Sequence, residues 1–218
     1  MKVWIVIPAY NEERTIGGVI DSLLAEGWEN IIVVNDGSTD RTEEIARAKG
    51  AVVVSHRKNM GLGGALRSGL AKALELGADV AVTFDADGQH DARDVRRLVA
   101  AAREADLVIG RRIMLGVPLN KRLGNFILNV ITRLLGGPLT DSQSGLRALS
   151  RRALERVRIT CNRYAVSSEI LIRAKRVGLR IAEVPAVCRF SNYSKAKGTT
   201  IASGIRIAVD LVRMRASL

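Results

Sequence analysis

Two carboxylates placed one residue apart are the feature of this chain most able to do chemistry. Residues 80–84 read Val-Ala-Val-Thr-Phe, and Asp85 and Asp87 follow directly, with one alanine between them. An unpaired carboxylate is costly to remove from water, so a pair at the mouth of a buried strand needs a compensating cation. We expect Mg²⁺ or Mn²⁺, which accept carboxylate oxygens and share their other positions with phosphates. The predicted metal ligands are therefore Asp85, Asp87 and the carbonyl oxygen of Gln89, and the predicted substrate carries a diphosphate.

The elements that must position this pair alternate along the N-terminal half. Short β-branched runs alternate with amphipathic stretches, which predicts β-α units and a mostly parallel sheet. The predicted strands cover residues 3–7, 31–34, 52–55, 80–84 and 107–109, and the predicted helices cover residues 16–24, 42–48 and 65–76. A chain of 218 residues is long enough for one such α/β domain with a sizeable core, which is the organisation we expect.

Polar segments follow three of the predicted strands, at the sheet edge where ligands sit in parallel α/β folds. They are Tyr-Asn-Glu at 10–12, Asn-Asp-Gly-Ser-Thr-Asp at 35–40 and Asp-Ala-Asp at 85–87. Each has a structural alternative, because Asp40 or Thr39 can cap the next helix and Asp36 with Gly37 can form a turn. Their occurrence after successive strands nevertheless predicts one shared site.

Residues 59–65, Asn-Met-Gly-Leu-Gly-Gly-Ala, enter a predicted helix and allow two interpretations. Backbone N–H groups at a helix start can bind a phosphate. Glycines at such a place can equally serve close packing. The sequence favours neither.

Composition limits the classes of partner. The chain has 34 Lys+Arg against 22 Asp+Glu, a formal net charge of +12, which indicates an anionic partner such as nucleic acid, lipid head groups or phosphorylated substrates. The two cysteines, Cys161 and Cys188, lack metal-ligand spacing and do not indicate a disulfide framework, so a reducing compartment is expected. No stretch approaches the ~18 to 20 apolar residues that a membrane-spanning helix requires.

Four segments, in this order, are similar to the motifs of inverting glycosyltransferase family 2 and, within it, of the dolichol-phosphate mannose synthase branch. They are Ile7-Pro8-Ala9-Tyr10-Asn11-Glu12, Val34-Asn35-Asp36-Gly37-Ser38-Thr39-Asp40, Asp85-Ala86-Asp87-Gly88-Gln89-His90 and Asp141-Ser142-Gln143-Ser144-Gly145-Leu146-Arg147. The resemblance covers nearly the whole chain and implies an α/β nucleotide-diphospho-sugar transferase fold of the GT-A type, with a mostly parallel sheet flanked by helices. It also implies a divalent metal, a nucleotide-sugar donor, expected to be GDP-mannose, and a polyprenyl (dolichyl) phosphate acceptor.

The resemblance assigns roles to individual residues. It implies a nucleoside pocket made of Pro8, Ala9, Tyr10, Glu12 and Asp36. It also implies that Asp85, Ala86 and Asp87 meet the diphosphate and the metal, with Gln89 beside them. Residues 1–115 would then form the nucleotide-sugar-binding half, and residues 116–218 the half that faces the acceptor and the membrane.

A phosphate acceptor must approach an anionic donor, which is a task for arginine because its planar donors grip phosphate at two points. The candidates are Arg112, Arg122 and Arg189, followed by Ser194 and Lys195 in a segment similar to the Arg-x-x-Gly-x-Ser-Lys motif of the family. Asn192 stands where that motif usually has glycine.

The expected catalytic residues are Asp87, Asp141 and Arg112. A phosphomonoester has a second pKa of about 6, so a lipid phosphate is already an anionic nucleophile near neutral pH and has little need of a protein base. Asp141 lies where related enzymes with hydroxyl acceptors place their base, so here we expect it to orient the acceptor or the sugar. Glu169 also matches a family position, although a carboxylate at a helix N-terminus facing the dipole explains it equally well.

Two amphipathic stretches bear on the lipid. Apolar residues recur at helical spacing over residues 123–134 and 201–212, with basic residues beside both stripes. Periodicity alone favours packing on the sheet, whereas the resemblance implies contact with a membrane surface. On that basis the protein is expected to lie peripherally on the cytoplasmic face of a membrane.

Two other functions remain open at this point. The same scaffold can use a UDP-sugar carrying glucose or N-acetylglucosamine, with a lipid phosphate or a saccharide as acceptor. A non-catalytic nucleic-acid-binding domain would also explain the positive charge. Aromatic residues are only 4% of the chain, however, and base-stacking platforms need them, so no nucleic-acid partner is expected.

Overall fold

The β-branched runs form the strands of one mixed sheet in the computed structural model, which describes residues 1–114, 129–130, 132–134, 141–163 and 165–188. The strands are β1 (Val3–Ala9), β2 (Ile31–Asn35), β3 (Val52–Ser55), β4 (Val80–Thr83), β5 (Leu107–Met114), β6 (Arg147–Ser150) and β7 (Ile181–Cys188). The helices with described bounds are α1 (Ile16–Ala25), α2 (Thr42–Ala48), α3 (Leu62–Glu75), α4 (Asp94–Ala101), α5 (Arg151–Arg156) and α6 (Val166–Arg176).

The order of the strands brings the predicted polar segments together. The sheet runs β3-β2-β1-β4-β6-β5-β7, and β1 pairs in parallel with both β2 and β4. The carboxyl ends of these three strands therefore meet at one edge. Strand β6 is antiparallel to both β4 and β5, and its first residue, Arg147, lies opposite Thr83 at that same edge. The prediction of a mostly parallel α/β sheet is confirmed.

Two predicted boundaries differ from the structure by three residues or more, for reasons that lie in tertiary contacts. Strand β5 continues beyond residue 109 to Met114, because residues 110–114 pair with β7 from Val184 to Cys188. Helix α3 begins at Leu62 rather than at residue 65, with two glycines in its first turn. Glycine is a poor helix former, so packing overrides propensity there.

The core lies in two layers, one on each face of the sheet. Alternate residues of β1 point to opposite faces, so Ile5 packs with the helices α1, α2 and α4, whereas Val6 packs with α3, α5 and α6. Both side chains are fully buried. Strands covered on both faces read as continuous apolar runs, which explains why the sequence signal for β1, β2 and β4 is strong.

Several expectations concern residues outside the described part of the chain. Arg122, Arg189, Ser194, Lys195 and the stretch 201–212 all fall there. Within the stretch 123–134, residues 129–130 and 132–134 are described and are helical, as predicted. In the described ranges, no helix has both the length and the apolar character needed to cross a bilayer.

Helix α3 approaches the sheet so closely that Gly69 has no room for a side chain. A Cβ atom there would lie 2.4 Å from Cγ1 of Val6 and 2.8 Å from Cγ2 of Val34. We predict that Gly69→Ala lowers the free energy of unfolding by about 1–3 kcal/mol, because overpacking outweighs the better helix propensity of alanine. Urea denaturation followed by circular dichroism measures the change.

Gly18 on α1 provides the matched control, since a Cβ atom there would meet nothing within 4 Å. Gly18→Ala should raise the free energy of unfolding by about 0.5–1 kcal/mol. Equal effects of the two substitutions would contradict the close packing of α3.

Candidate active site

A cavity of about 670 Å³ opens at the edge where β1, β2 and β4 end. Of the residues predicted to bind donor, metal or acceptor, those that line it are Pro8, Ala9, Tyr10, Glu12, Asp36, Asp85, Ala86, Asp87, Gln89 and Arg112. Asp141 lies behind this wall and reaches the cavity through its contact with Arg112. The structure therefore brings together all the predicted site residues that it describes.

The loops after β1 and β2 are fastened to each other at Asn11. Its backbone is in the left-handed region, with φ of 53°, which asparagine tolerates better than most residues. The Asn11 N–H donates to Oγ of Ser38 at 3.0 Å, and the Thr39 N–H donates to Oδ1 of Asn11 at 2.9 Å. This link fixes the part of the wall that contains Tyr10 and Glu12. Asp40 lies one residue before Arg41, the N-cap of α2, and its Oδ1 accepts the Thr42 N–H at 3.0 Å.

Asp36 anchors the segment between β3 and α3. Its Oδ1 accepts from Nδ1 of His56 at 2.7 Å and from the Met60 N–H at 2.8 Å, and its Oδ2 accepts the Gly61 N–H at 2.8 Å. Asp36 is only 3% exposed, so its carboxylate at the cavity wall depends on these bonds in place of water.

The glycines at the start of α3 serve close packing, which decides between the two interpretations of residues 59–65. The N–H groups of Gly63 and Gly64 both donate to the carbonyl oxygen of Asn162, at 2.8 and 3.3 Å. A Cβ atom on Gly63 would lie 1.8 Å from the carbonyl oxygen of Cys161. The amides of Gly63 and Gly64 are therefore already in use.

Asp85 faces the cavity with a histidine behind it. Nε2 of His90 lies 2.8 Å from Oδ2 of Asp85, and a Cβ atom on Gly145 would lie 2.3 Å from the same oxygen. Only glycine fits beside this carboxylate. Burial alone would raise the pKa of Asp85, but the charge and hydrogen bond of His90, with Arg112 and Arg147, hold it below its usual value.

Asp87 lies in a different electrostatic environment. The Gln89 N–H donates to its Oδ1 at 3.1 Å, and the Gln89 side-chain amide donates to its Oδ2. Burial and the negative charge of Asp85 nevertheless raise the pKa of Asp87. The two carboxylates are thus close enough to repel each other, and a cation between them would relieve that repulsion.

Arg112, which is half-buried, and Asp141, which is buried, form a two-point ion pair. Nε and Nη2 of Arg112 each lie 2.7 Å from an oxygen of Asp141, and the Arg112 N–H donates to the same carboxylate at 3.1 Å. Burial would lower the pKa of Arg112, but its hydrogen bond and charge interaction with Asp141 raise it. This guanidinium therefore keeps its charge and a fixed orientation at the cavity wall.

Arg147 is a buried cation whose importance the sequence analysis missed. It is 2% exposed, donates from Nη2 to the carbonyl oxygen of Ser142 at 2.9 Å, and has no partner for Nε in the described part of the protein. Burial lowers its pKa to about 10, so it is protonated near neutral pH, and the charges of Asp141 and Asp85 favour this state. The position of Arg147 at the start of a strand gives no sequence pattern that would indicate a buried cation.

Glu169 fastens a loop at the opposite rim. It is fully buried in the first turn of α6 and accepts the N–H groups of Thr160 and Cys161, both at 2.9 Å, as well as Nε of Arg173 at 2.8 Å. The loop that it holds leads to Arg163, an exposed cation on the cavity wall that the sequence analysis also missed. An interaction with the helix dipole is therefore not the only role of Glu169 in the structure.

The donor set fits a divalent metal that takes most of its ligands from water and phosphate. Within the described ranges, no group of three or more His, Cys, Asp or Glu side chains is placed to hold an ion. Asp85 and Asp87 therefore offer two carboxylates, and Mg²⁺ is commonly held in this way, by one or two carboxylates plus substrate phosphates. The side-chain carbonyl oxygen of Gln89 accepts a hydrogen bond from Sγ of Cys188 at 3.6 Å. The role of Gln89 as a metal ligand therefore stays a prediction.

A seven-stranded α/β sheet with paired carboxylates beyond its parallel strands is the architecture of a glycosyltransferase of the GT-A type. The chain belongs to glycosyl transferase family 2, whose family model matches residues 4–158. It is therefore a glycosyltransferase, as the resemblance implied.

Three known proteins are similar to this chain over most of its length. A UDP-N-acetylglucosamine–dolichyl-phosphate N-acetylglucosaminyltransferase of Methanococcus voltae is 40% identical over 98% of this chain and 96% of its own. An undecaprenyl-phosphate mannosyltransferase of Micrococcus luteus is 35% identical over 94% of this chain and 91% of its own. The crystal structure of glucosyl-3-phosphoglycerate synthase from Mycobacterium tuberculosis with Mg²⁺ and UDP has a TM-score of 0.77 and 27% identity, covering 100% of this chain and 80% of that one.

The repulsion between Asp85 and Asp87 predicts a stability change in the metal-free protein. Because the folded-state pKa of Asp87 lies above the usual value for an aspartate, ionised Asp87 destabilises the fold, and this penalty grows as the pH rises through that raised pKa. We predict that Asp87→Asn raises the free energy of unfolding in EDTA at pH 7 by about 0.5–2 kcal/mol. Urea denaturation should show the gain shrinking as the pH falls toward about 4.

Asp21→Asn is the matched control, since it makes the same change at an exposed carboxylate of α1 that pairs with Lys49. It should alter stability by less than about 0.5 kcal/mol. A loss of stability in Asp87→Asn at pH 7 would show that this carboxylate is already compensated without a cation.

Proposed function

We propose that the protein transfers a hexosyl group from a nucleoside diphosphate sugar to a polyprenyl phosphate, with Mg²⁺ or Mn²⁺ as cofactor. The observation that supports this most directly is the charge arrangement of the cavity. Two carboxylates that repel each other lie at the end of β4, and the half-buried cation Arg112 and the buried cation Arg147 lie beside them. Such a site has places for a dication and for an additional anion.

The donor is proposed to lie along the edge formed by β1, β2 and β4. Pro8, Ala9, Tyr10, Glu12 and Asp36 would surround the nucleoside, and Asp85, Ala86 and Asp87 would lie against the diphosphate. Asp85 and Asp87 would hold the metal, which when bound supplies a Lewis acid to stabilise the departing nucleoside diphosphate. His90 orients Asp85 from behind, and the Gln89 amide orients Asp87.

The acceptor phosphate is proposed to bind at Arg112. Its two-point bond to Asp141 uses Nε and Nη2, and no other described residue bonds to Nη1, which is the proposed donor to the incoming anion. Asp141 then acts by orienting this guanidinium, and the nucleophile is the phosphate itself, whose second pKa of about 6 leaves it ionised. Arg122, Arg189, Ser194 and Lys195 remain predicted acceptor ligands.

Two donors are compatible with this site. The resemblance to dolichol-phosphate mannose synthases implies GDP-mannose, and the Micrococcus luteus relative is named as a mannosyltransferase. The Methanococcus voltae relative is named as a transferase that uses UDP-N-acetylglucosamine, and it is the more similar of the two. The acceptor in both names is a polyprenyl or dolichyl phosphate, so the protein is proposed to work at a membrane surface.

A transfer assay tests the proposal. Purified protein with Mn²⁺ and a polyprenyl phosphate is expected to form a lipid-linked sugar from GDP-mannose or from UDP-N-acetylglucosamine, and EDTA should abolish the product. Asp87→Ala should lower the rate by at least about 10²-fold, because Lewis-acid stabilisation contributes several kcal/mol. The measurement is chromatography of the radiolabelled lipid product.

Asp21→Asn, on the exposed face of α1, should keep the full rate and serves as the control. Transfer that continues in EDTA would refute the metal requirement. A product formed only with water or a free saccharide would refute the lipid phosphate acceptor.

The bond between Asp141 and Arg112 predicts a specific kinetic change. Asp141→Asn keeps one carbonyl oxygen for Arg112, so we expect the acceptor KM to rise about tenfold while the donor KM stays constant. If Asp141 were instead the general base, kcat would fall by about 10²- to 10⁴-fold and would recover as the pH increases. Steady-state kinetics between pH 6 and pH 9 distinguish the two roles.

A further inference from the structure

A chain of hydrogen bonds runs from the cavity wall into helix α3. Nδ1 of His56 lies 2.7 Å from Oδ1 of Asp36, and Nε2 of His56 lies 2.9 Å from Oγ of Ser68. A carboxylate only accepts, so Nδ1 donates to Asp36, and in the neutral imidazole Nε2 accepts the Ser68 hydroxyl proton. The side chain of His56 is 15% exposed and that of Asp36 is 4% exposed, so surrounding atoms hold both in place.

This arrangement has the connectivity of a Ser-His-Asp triad but not its geometry toward a substrate. Asp36 lines the cavity, whereas Ser68 lies within α3 and is not part of the cavity wall. In a hydrolytic triad the serine is the end that meets the substrate. Here the carboxylate of Asp36 is the group that faces the cavity, so the hydrogen bonds from His56 and Ser68 serve to orient Asp36.

The number of bonds to Asp36 limits what it can still accept. An ionised carboxylate offers about four lone-pair sites. In the described part of the protein, Oδ1 accepts from His56 and from the Met60 N–H, and Oδ2 accepts from the Gly61 N–H. One acceptor position therefore remains, on Oδ2.

Nucleobases differ in how many donors they present on one edge. Guanine presents N1–H and an amino N–H side by side, and together they need both oxygens of a carboxylate. Uracil and thymine present a single N3–H between two carbonyl oxygens, and this needs one acceptor. Adenine places an acceptor nitrogen beside its amino group, and a carboxylate repels the lone pair of that nitrogen. A donor left without its partner in a buried site costs about 1–3 kcal/mol.

We propose that His56 is a specificity-determining residue, which occupies Oδ1 of Asp36 and so makes the nucleoside pocket select uracil or thymine over guanine. This inference rests on the proposed function, and it favours a UDP-sugar donor. The side chains of Asn59 and Arg163 line the same cavity, and Cγ of Arg163 lies 3.2 Å from the position of a Cβ atom on Gly61. They provide N–H donors for the carbonyl oxygens that flank N3–H.

Nucleotide binding measured by calorimetry with Mn²⁺ tests the inference. The native protein is expected to bind UDP at least about tenfold more tightly than GDP, which is the value of roughly one hydrogen bond. In His56→Ala, Oδ1 of Asp36 gains a second open position, so the preference should fall to about twofold or less. His56→Gln restores a side-chain N–H donor and should recover most of the preference.

Arg57→Ala is the matched control, because this exposed neighbour lies on the same loop and is not part of the cavity wall. It should leave the ratio of the two dissociation constants unchanged. If the role of His56 were purely structural, His56→Ala would weaken the binding of UDP and of GDP equally. That result would overturn the inference, provided circular dichroism shows that the variant is folded.

Two other outcomes separate this inference from the proposed function. Tighter binding of GDP by the native protein, with transfer from GDP-mannose, would overturn the role of His56 and leave the proposed function intact. Failure to bind either nucleotide in the presence of Mn²⁺ would overturn both.

Discussion

The site depends on one constraint. The negative charge of carboxylates in a poorly solvated cavity wall must be balanced by nearby cations. Asp85, Asp87 and Asp141 lie in or behind this wall, and Arg112 and Arg147 balance part of their charge. Arg147 is almost fully buried, so its guanidinium cannot turn away to solvent and acts as a fixed positive charge. Among the described residues no cation forms an ion pair with Asp87, whose pKa is raised by burial and by Asp85, and a bound dication would complete the balance.

Hydrogen bonds hold the loops around this wall. Asn11 joins the loops after β1 and β2, Asp36 holds the segment that enters α3, and Glu169 holds the loop that ends at Arg163. Each anchor is a side chain bonded to backbone N–H groups of a distant segment. A loop fixed in this way can present polar groups in one orientation, which is what recognition of a nucleotide requires.

The sequence predicted the fold class and ten of the 21 residues that line the cavity, because both follow from local patterns. Continuous apolar runs identified β1, β2 and β4, and polar residues directly after a parallel strand lie at the ligand edge in any such sheet. It did not predict the length of β5, which depends on pairing with β7, or the buried position of Arg147, which depends on β6 lying between β4 and β5. The His56 contact with Asp36 was also missed, because it joins residues that no periodicity relates.

The position of β6 has a consequence for how the molecule assembles. Thr83 and Arg147 are neighbours across the sheet although they are far apart along the chain, and β6 is antiparallel in an otherwise parallel region. The carboxylates at the end of β4 need only the pairing of β4 with its neighbours, whereas Arg147 is in place only in a sheet that contains β6 between β4 and β5. Correct insertion of β6 is therefore a condition for charge balance at the site.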